Sequence, residues 1–123
     1  MEPNLVLRTC AALLGLAAIG GATMAFLRFS GKPRPQTWLA KLHGFVAVAA
    51  LTLLLYISAT IGLSIVANAA LALFLAAAAG GVYMNLRFHW KMLALPKWLV
   101  FVHAAIALAA YLLLLAALFA TRT

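Results

Sequence analysis

From Trp38 to Leu86 the chain carries a single charge, Lys41. About 20 residues of apolar helix cross a bilayer. This run is too long for one crossing, so it must hold two helices. The tight apolar turn between them falls near Ala59–Ala67, where Gly62, Ser64 and Asn68 supply turn and start signals. The apolar runs Leu5–Phe29 and Trp98–Ala120 add one helix each. The expected helices are therefore roughly 7–29, 38–59, 66–88 and 98–120. Connections this short force an up-down-up-down bundle. Composition agrees: 68% of the chain is apolar and 8% is charged, where a soluble domain carries about 25% charged residues. A small soluble chain has no means of hiding that much apolar surface. The expected class is an all-α integral membrane protein, one transmembrane domain over residues 1–123.

The same scarcity of polar groups excludes whole chemistries. One cysteine, Cys10, allows no internal disulfide, no CxxC redox pair and no Cys-based zinc site. The one carboxylate side chain, Glu2, lies outside the apolar runs. Paired-carboxylate hydrolysis, a carboxylate metal cage and an intramembrane Asp/Glu relay are thereby excluded. Four-helix drug exporters that depend on a membrane carboxylate fall with them. The net charge of +8 does not point to nucleic acid, because the cations flank membrane spans.

Those cations set an orientation. Arg28, Lys32, Arg34 and Lys41 surround the first connection, and Arg87, Lys91 and Lys97 the third. Arg8 and Arg122 stand near the other side. The positive-inside rule makes the two basic connections cytoplasmic and places both termini outside. Trp38, Trp90 and Trp98 mark the same basic boundary as interface anchors. The N-terminal run has neither the basic start nor the polar cleavage region of a signal peptide. The Ala/Leu-rich style, with no targeting segment, suggests a bacterial inner membrane.

The two halves repeat at an offset of sixty. Gly20 and Gly21 fall on Gly80 and Gly81, Met24 on Met84, Trp38 on Trp98 and His43 on His103. Ala47 and Ala50 fall on Ala107 and Ala110. A one-residue gap brings Leu27-Arg28-Phe29 onto Leu86-Arg87-Phe88. Ala and Leu matches mean little in so biased a composition, but Gly-Gly, Met, Trp and His matches carry weight. The reading is a duplicated two-helix hairpin, 7–59 and 66–120, with pseudo-two-fold symmetry about the membrane normal.

The repeat brings chemistry to one depth. Each His lies five residues after a boundary Trp, about 7–8 Å into the membrane at the helical rise. Each Gly-Gly pair lies about 9–10 Å below the same boundary. In an up-down bundle the second and fourth helices are diagonal partners, so His43 and His103 face each other across the centre. Glycine admits a flat group close to the backbone. Two imidazoles on one diagonal, with glycine notches on the other, suit a haem held edge-on. Arg28 and Arg87, nearer the boundary, would neutralise its propionates.

This arrangement resembles the membrane b-type cytochromes, in which four-helix bundles hold haem between paired His with glycines against the porphyrin. The resemblance is one of architecture over the whole chain. It implies His43 and His103 as axial ligands of a single b-type haem near the cytoplasmic side, with Gly20, Gly21, Gly80 and Gly81 facing it. Many such proteins carry four ligand His and two haems, whereas this chain has one symmetric pair, so a transmembrane electron path needs a partner redox complex.

Other readings stand beside that one. His near an interface is often hydrogen-bonded to a carbonyl and nothing more. Gly-Gly in a membrane helix commonly seats another helix, in the bundle or in a homodimer. The chain would then be a non-catalytic accessory or assembly subunit packing through Gly/Ala faces. Met24 and Met84 with the two His offer a copper site as a weaker cofactor choice. His89, beside Trp90, has no counterpart at the offset of sixty and reads as an interfacial residue. Cys10 reads as a small packing residue, and Tyr56, Tyr83 and Tyr111 follow no repeat.

Overall fold

The structure is a computed structural model, and it describes residues 2–120. Those residues form helices α1 (Pro3–Phe29), α2 (Thr37–Thr60), α3 (Ile65–Met84) and α4 (Lys97–Ala120), with no strand. α3 runs on through one π-helical turn, Asn85–His89. All four are long and apolar enough to cross a membrane. No more than 28% of the most apolar stretch of any of them is buried, so most of the apolar surface faces outward.

α1 begins earlier than its apolar run, because Pro3 is well suited to the first helical turn, where no N–H is needed. The α2–α3 turn is built from the expected residues. Gly62 takes φ +92° and its N–H reaches back to Ile57 O at 2.8 Å. Ser64 Oγ accepts from Ala67 N at 3.1 Å and caps α3. Asn68 Nδ2 donates to Leu63 O, and Ser58 Oγ donates to Asn68 Oδ1 at 2.7 Å. Exposed hydroxyls on Thr9, Thr23, Thr52 and Thr60 each donate to the carbonyl four residues back, which satisfies them without water.

The buried positions follow the offset of sixty. On α1 they include Leu7, Cys10, Ala11, Leu14 and Ala17, and on α3 Ala67, Ala70, Leu71, Phe74 and Ala77. On α2 Ala50, Leu54 and Ile57 are buried, and on α4 Ala110, Leu114 and Ala117. α1 packs on α2 and α4, and α3 packs on α4 and, less extensively, on α2. The α4–α1 seam is more extensive than its counterpart, α2–α3, and has a contact the other lacks. Tyr111 Oη donates to Ala11 O at 2.9 Å across α4–α1. It does so through the space at Gly15, where a Cβ would lie 2.9 Å from the hydroxyl. Sixty residues away the same two positions hold Leu51 and Leu75, which neither hydrogen-bond nor open a notch. Tyr111 thus has a role that the repeat hides, because it belongs to one half only.

The α1–α2 and α3–α4 connections meet at one end. Leu95 N donates to Pro33 O at 3.0 Å, Arg28 Nε to Leu95 O at 2.7 Å and Arg34 Nη1 to Met92 O at 2.7 Å. The helix ends there are alike but shifted. α1 closes with Gly31 N to Arg28 O and Lys32 N to Leu27 O. The π turn closes with Met92 N to His89 O and Leu93 N to Phe88 O. Equivalent caps are therefore sixty-one apart, because the π turn takes up one extra residue. This corrects the gapped match of Leu27-Arg28-Phe29 with Leu86-Arg87-Phe88: by the caps the counterpart of Arg28 is His89, and Arg87 is exposed.

The cap position is glycine in one half, Gly31 at φ +111°, and methionine in the other, Met92 at φ +59°. A left-handed conformation costs an L side chain about 1–2 kcal/mol, and Met92 is exposed, so little packing offsets it. Met92→Gly should stabilise the detergent-solubilised protein by about 1 kcal/mol. Denaturant titration followed by circular dichroism measures it, and a loss of stability would refute the strain.

Candidate functional site

His43 sits in the second turn of α2 and His103 in the second turn of α4. Each imidazole crosses to the helix before it. His43 Nδ1 lies 2.7 Å from Ala17 O and His103 Nδ1 lies 2.8 Å from Ala77 O, the same link in both halves. A carbonyl only accepts, so each Nδ1 carries the proton and donates it. Nε2 is left as the nitrogen with a lone pair, the form in which histidine binds metals. Both rings are half-buried, and their centres are 6.3 Å apart with planes at 74°.

The glycines explain how the rings reach those carbonyls. A Cβ on Gly21 would lie 2.9 Å from His43 Cε1, and one on Gly81 would lie 3.3 Å from His103 Cε1. A Cβ on Gly20 or Gly80 would meet nothing closer than 3.8 Å. What the missing Cβ admits at Gly21 and Gly81 is the imidazole itself, where the sequence suggested the face of a porphyrin. The second glycine of each pair is the one the geometry requires. Deeper in the bundle, Ala50 and Ala110 are buried and Ala47 and Ala107 half-buried, which keeps α2 and α4 slim below the rings.

The arginines do not form a matched pair at this level. Arg28 is half-buried and its Nε is committed to Leu95 O, while Arg87 is exposed on the π turn. Met84 is buried in a small apolar cluster with Leu95 and Val100, and Met24 is half-buried. That is packing for Met84. Cys10 is buried and its thiol points at Ala50 O, 3.5 Å away. His89, read as interfacial, is buried instead, at 8% exposure. Its Nε2 is 3.4 Å from Thr37 Oγ1, and its Nδ1 has no partner. The signal for His89 was its lack of a repeat partner, since the extra residue of the π turn is what carries it inward. The Ala17 and Ala77 carbonyls had no signal, because a backbone acceptor leaves no mark in the residue type.

The donor set can be tested against a metal-centred group. Two metal–imidazole bonds of about 2.0–2.1 Å, with a ring radius added at each end, separate the ring centres by about 6 Å. The observed centre-to-centre distance is of that length, 6.3 Å, with the rings set edge to face. Each imidazole already has the outer hydrogen bond that metal-binding imidazoles commonly make. Among the described residues no group of three or more His, Cys, Asp or Glu side chains could hold a metal. Two imidazoles alone fall short of a four-coordinate zinc site, whereas a porphyrin brings four nitrogens of its own. No family model matches the chain, and comparison with curated proteins and with solved structures also returns no match.

Proposed function

We propose that this chain is a multi-pass membrane protein that carries electrons on one b-type haem, held by His43 and His103. The observation that carries the reading is the opposed imidazole pair, 6.3 Å between centres, with each Nδ1 tied to a carbonyl of its own hairpin. A structural histidine needs one hydrogen bond. Two such residues leaving the same nitrogen unused, at matched depth, are arranged for a shared ligand.

The bundle is read as an up-down-up-down duplicated hairpin, with both basic connections cytoplasmic. The shared buried positions at the offset of sixty and the junction of the two connections at one end support it. Haem held by His43 and His103 would supply a one-electron couple whose potential follows its ligands and their hydrogen bonds. The Ala17 and Ala77 carbonyls, by accepting from Nδ1, make both imidazoles more electron-rich at Nε2. Gly21 and Gly81 seat the rings, and the surrounding apolar helices keep water away from them. Arg28 retains its terminal guanidinium nitrogens for a propionate.

The accessory-subunit reading draws on the same contacts, since both imidazoles bond to carbonyls and two of the glycines seat side chains of the neighbouring helix. The test is stoichiometry. Protein purified from cells supplied with haem should give one haem b per chain by pyridine haemochromogen assay. A value near zero would remove the cytochrome reading, and a value of two would require ligands beyond this pair.

A further inference from the structure

Where the two connections meet, they enclose an open cleft of about 490 Å³. Arg34, Gln36, Thr37, His89, Trp90 and Met92 line it. Its polar side chains have been assigned directions by their neighbours. Gln36 Oε1 accepts from Trp38 Nε1 at 2.6 Å, so its amide NH₂ is the end left to donate. Arg34 spends Nη1 on Met92 O and keeps its other N–H groups. His89 has a buried, unpartnered Nδ1, and a bare lone pair there costs less than a buried N–H left unmade. The proton then sits on Nε2, whose contact with Thr37 Oγ1, at 3.4 Å, is long and readily exchanged. No side chain caps the first turn of α2, which starts at Thr37.

The cleft thus offers donors and a fixed positive charge. None of its lining residues is a carboxylate. Lys32 and Lys91 stand on the same connections and Lys97 at the start of α4, while Glu2 lies at the far end of α1. The complementary ligand is an oxyanion, and a phosphate accepts several such bonds at once. Position chooses its source. The exposed indoles of Trp38, Trp90 and Trp98 lie at this level, and indoles of this kind gather at the depth of lipid headgroups. We propose that the cleft binds the phosphodiester of an anionic phospholipid, with Arg34 and His89 as its principal contacts. Bound there, the lipid would bridge the two connections and hold both hairpins together at the end that carries the imidazoles. The site does not depend on haem, so its failure leaves the electron-carrier reading untouched.

Native mass spectrometry of the detergent-purified full chain, titrated with phosphatidylglycerol, tests it. One lipid should be retained, and Arg34→Gln and His89→Phe should each weaken retention at least about tenfold, the loss of one charge-assisted hydrogen bond. Lys41→Gln, an exposed cation on α2 outside the cleft, should change it less than about twofold. His89→Gln covers the case in which His89→Phe fails to fold, and should weaken retention in the same direction. Equal retention in all variants would overturn the site in favour of diffuse attraction to a basic surface. Inorganic phosphate that protects Arg34 from modification while phosphatidylglycerol does not would overturn the lipid as occupant.

Discussion

Replacing His43 with Ala should strip the chain of haem, and replacing His103 with Ala should do the same to the same degree. Loss of a hydrogen bond to a metal ligand already costs about 10–100-fold in affinity. Loss of the ligand itself should cost about a hundredfold or more. The equality matters as much as the size. The two rings make the same bond to equivalent carbonyls and stand at equivalent places in their helices, so neither is the spare. Each variant should regain the low-spin spectrum when haem and free imidazole are supplied together, because the missing side chain leaves room for one. Haem content and the oxidised spectrum, with and without imidazole, measure this. A histidine that only ties α2 to α1, or α4 to α3, would leave bound pigment unchanged and lower stability by the worth of one buried hydrogen bond, about 1 kcal/mol.

A second large effect is expected in the glycines, and it does not need the cofactor. Alanine is favoured over glycine inside a helix by about 1 kcal/mol. Gly20→Ala and Gly80→Ala should follow that rule and stabilise the protein, since the added methyl would meet only ordinary contacts at 3.8 Å. Gly21→Ala should reverse the sign. Its methyl would stand 2.9 Å from His43 Cε1, so the ring must move and give up its 2.7 Å bond to Ala17 O. Overpacking of this kind costs about 1–3 kcal/mol. Gly81→Ala, at 3.3 Å from His103 Cε1, should fall between these cases. Thermal or denaturant unfolding of the four variants gives the order directly. A stabilising Gly21→Ala would show that the imidazole does not occupy that notch, and the ligand geometry would go with it.

The helices were legible in the sequence because hydrocarbon leaves the backbone few options and twenty-residue apolar runs show up plainly. The α2–α3 turn was legible because Gly62, Ser64 and Asn68 each do something only their residue type does well. The imidazole pair was legible because Trp, His and Gly-Gly coincide at one offset in a chain otherwise made of Ala and Leu. Which glycine of each pair matters was not legible. Gly20 and Gly21 differ by 100° around the helix, and only the packing of α2 decides which one faces His43. The π turn was not legible either, and it moved the match at the end of α3 by two residues, from an offset of fifty-nine to sixty-one, exchanging Arg87 for His89 as the counterpart of Arg28. Tyr111 and Gly15 escaped for the opposite reason. Their contact lies between the halves rather than within one, so a search for repeated residues passes over it.

The most direct test of the electron-carrier reading is the absorbance spectrum of the detergent-purified protein, oxidised and then reduced with dithionite. Two imidazoles on one haem iron should give a sharp Soret band, with α and β bands appearing on reduction, and both features should vanish in His43→Ala. A flat visible spectrum from protein made with ample haem would contradict the account and leave the paired histidines as ties between helices.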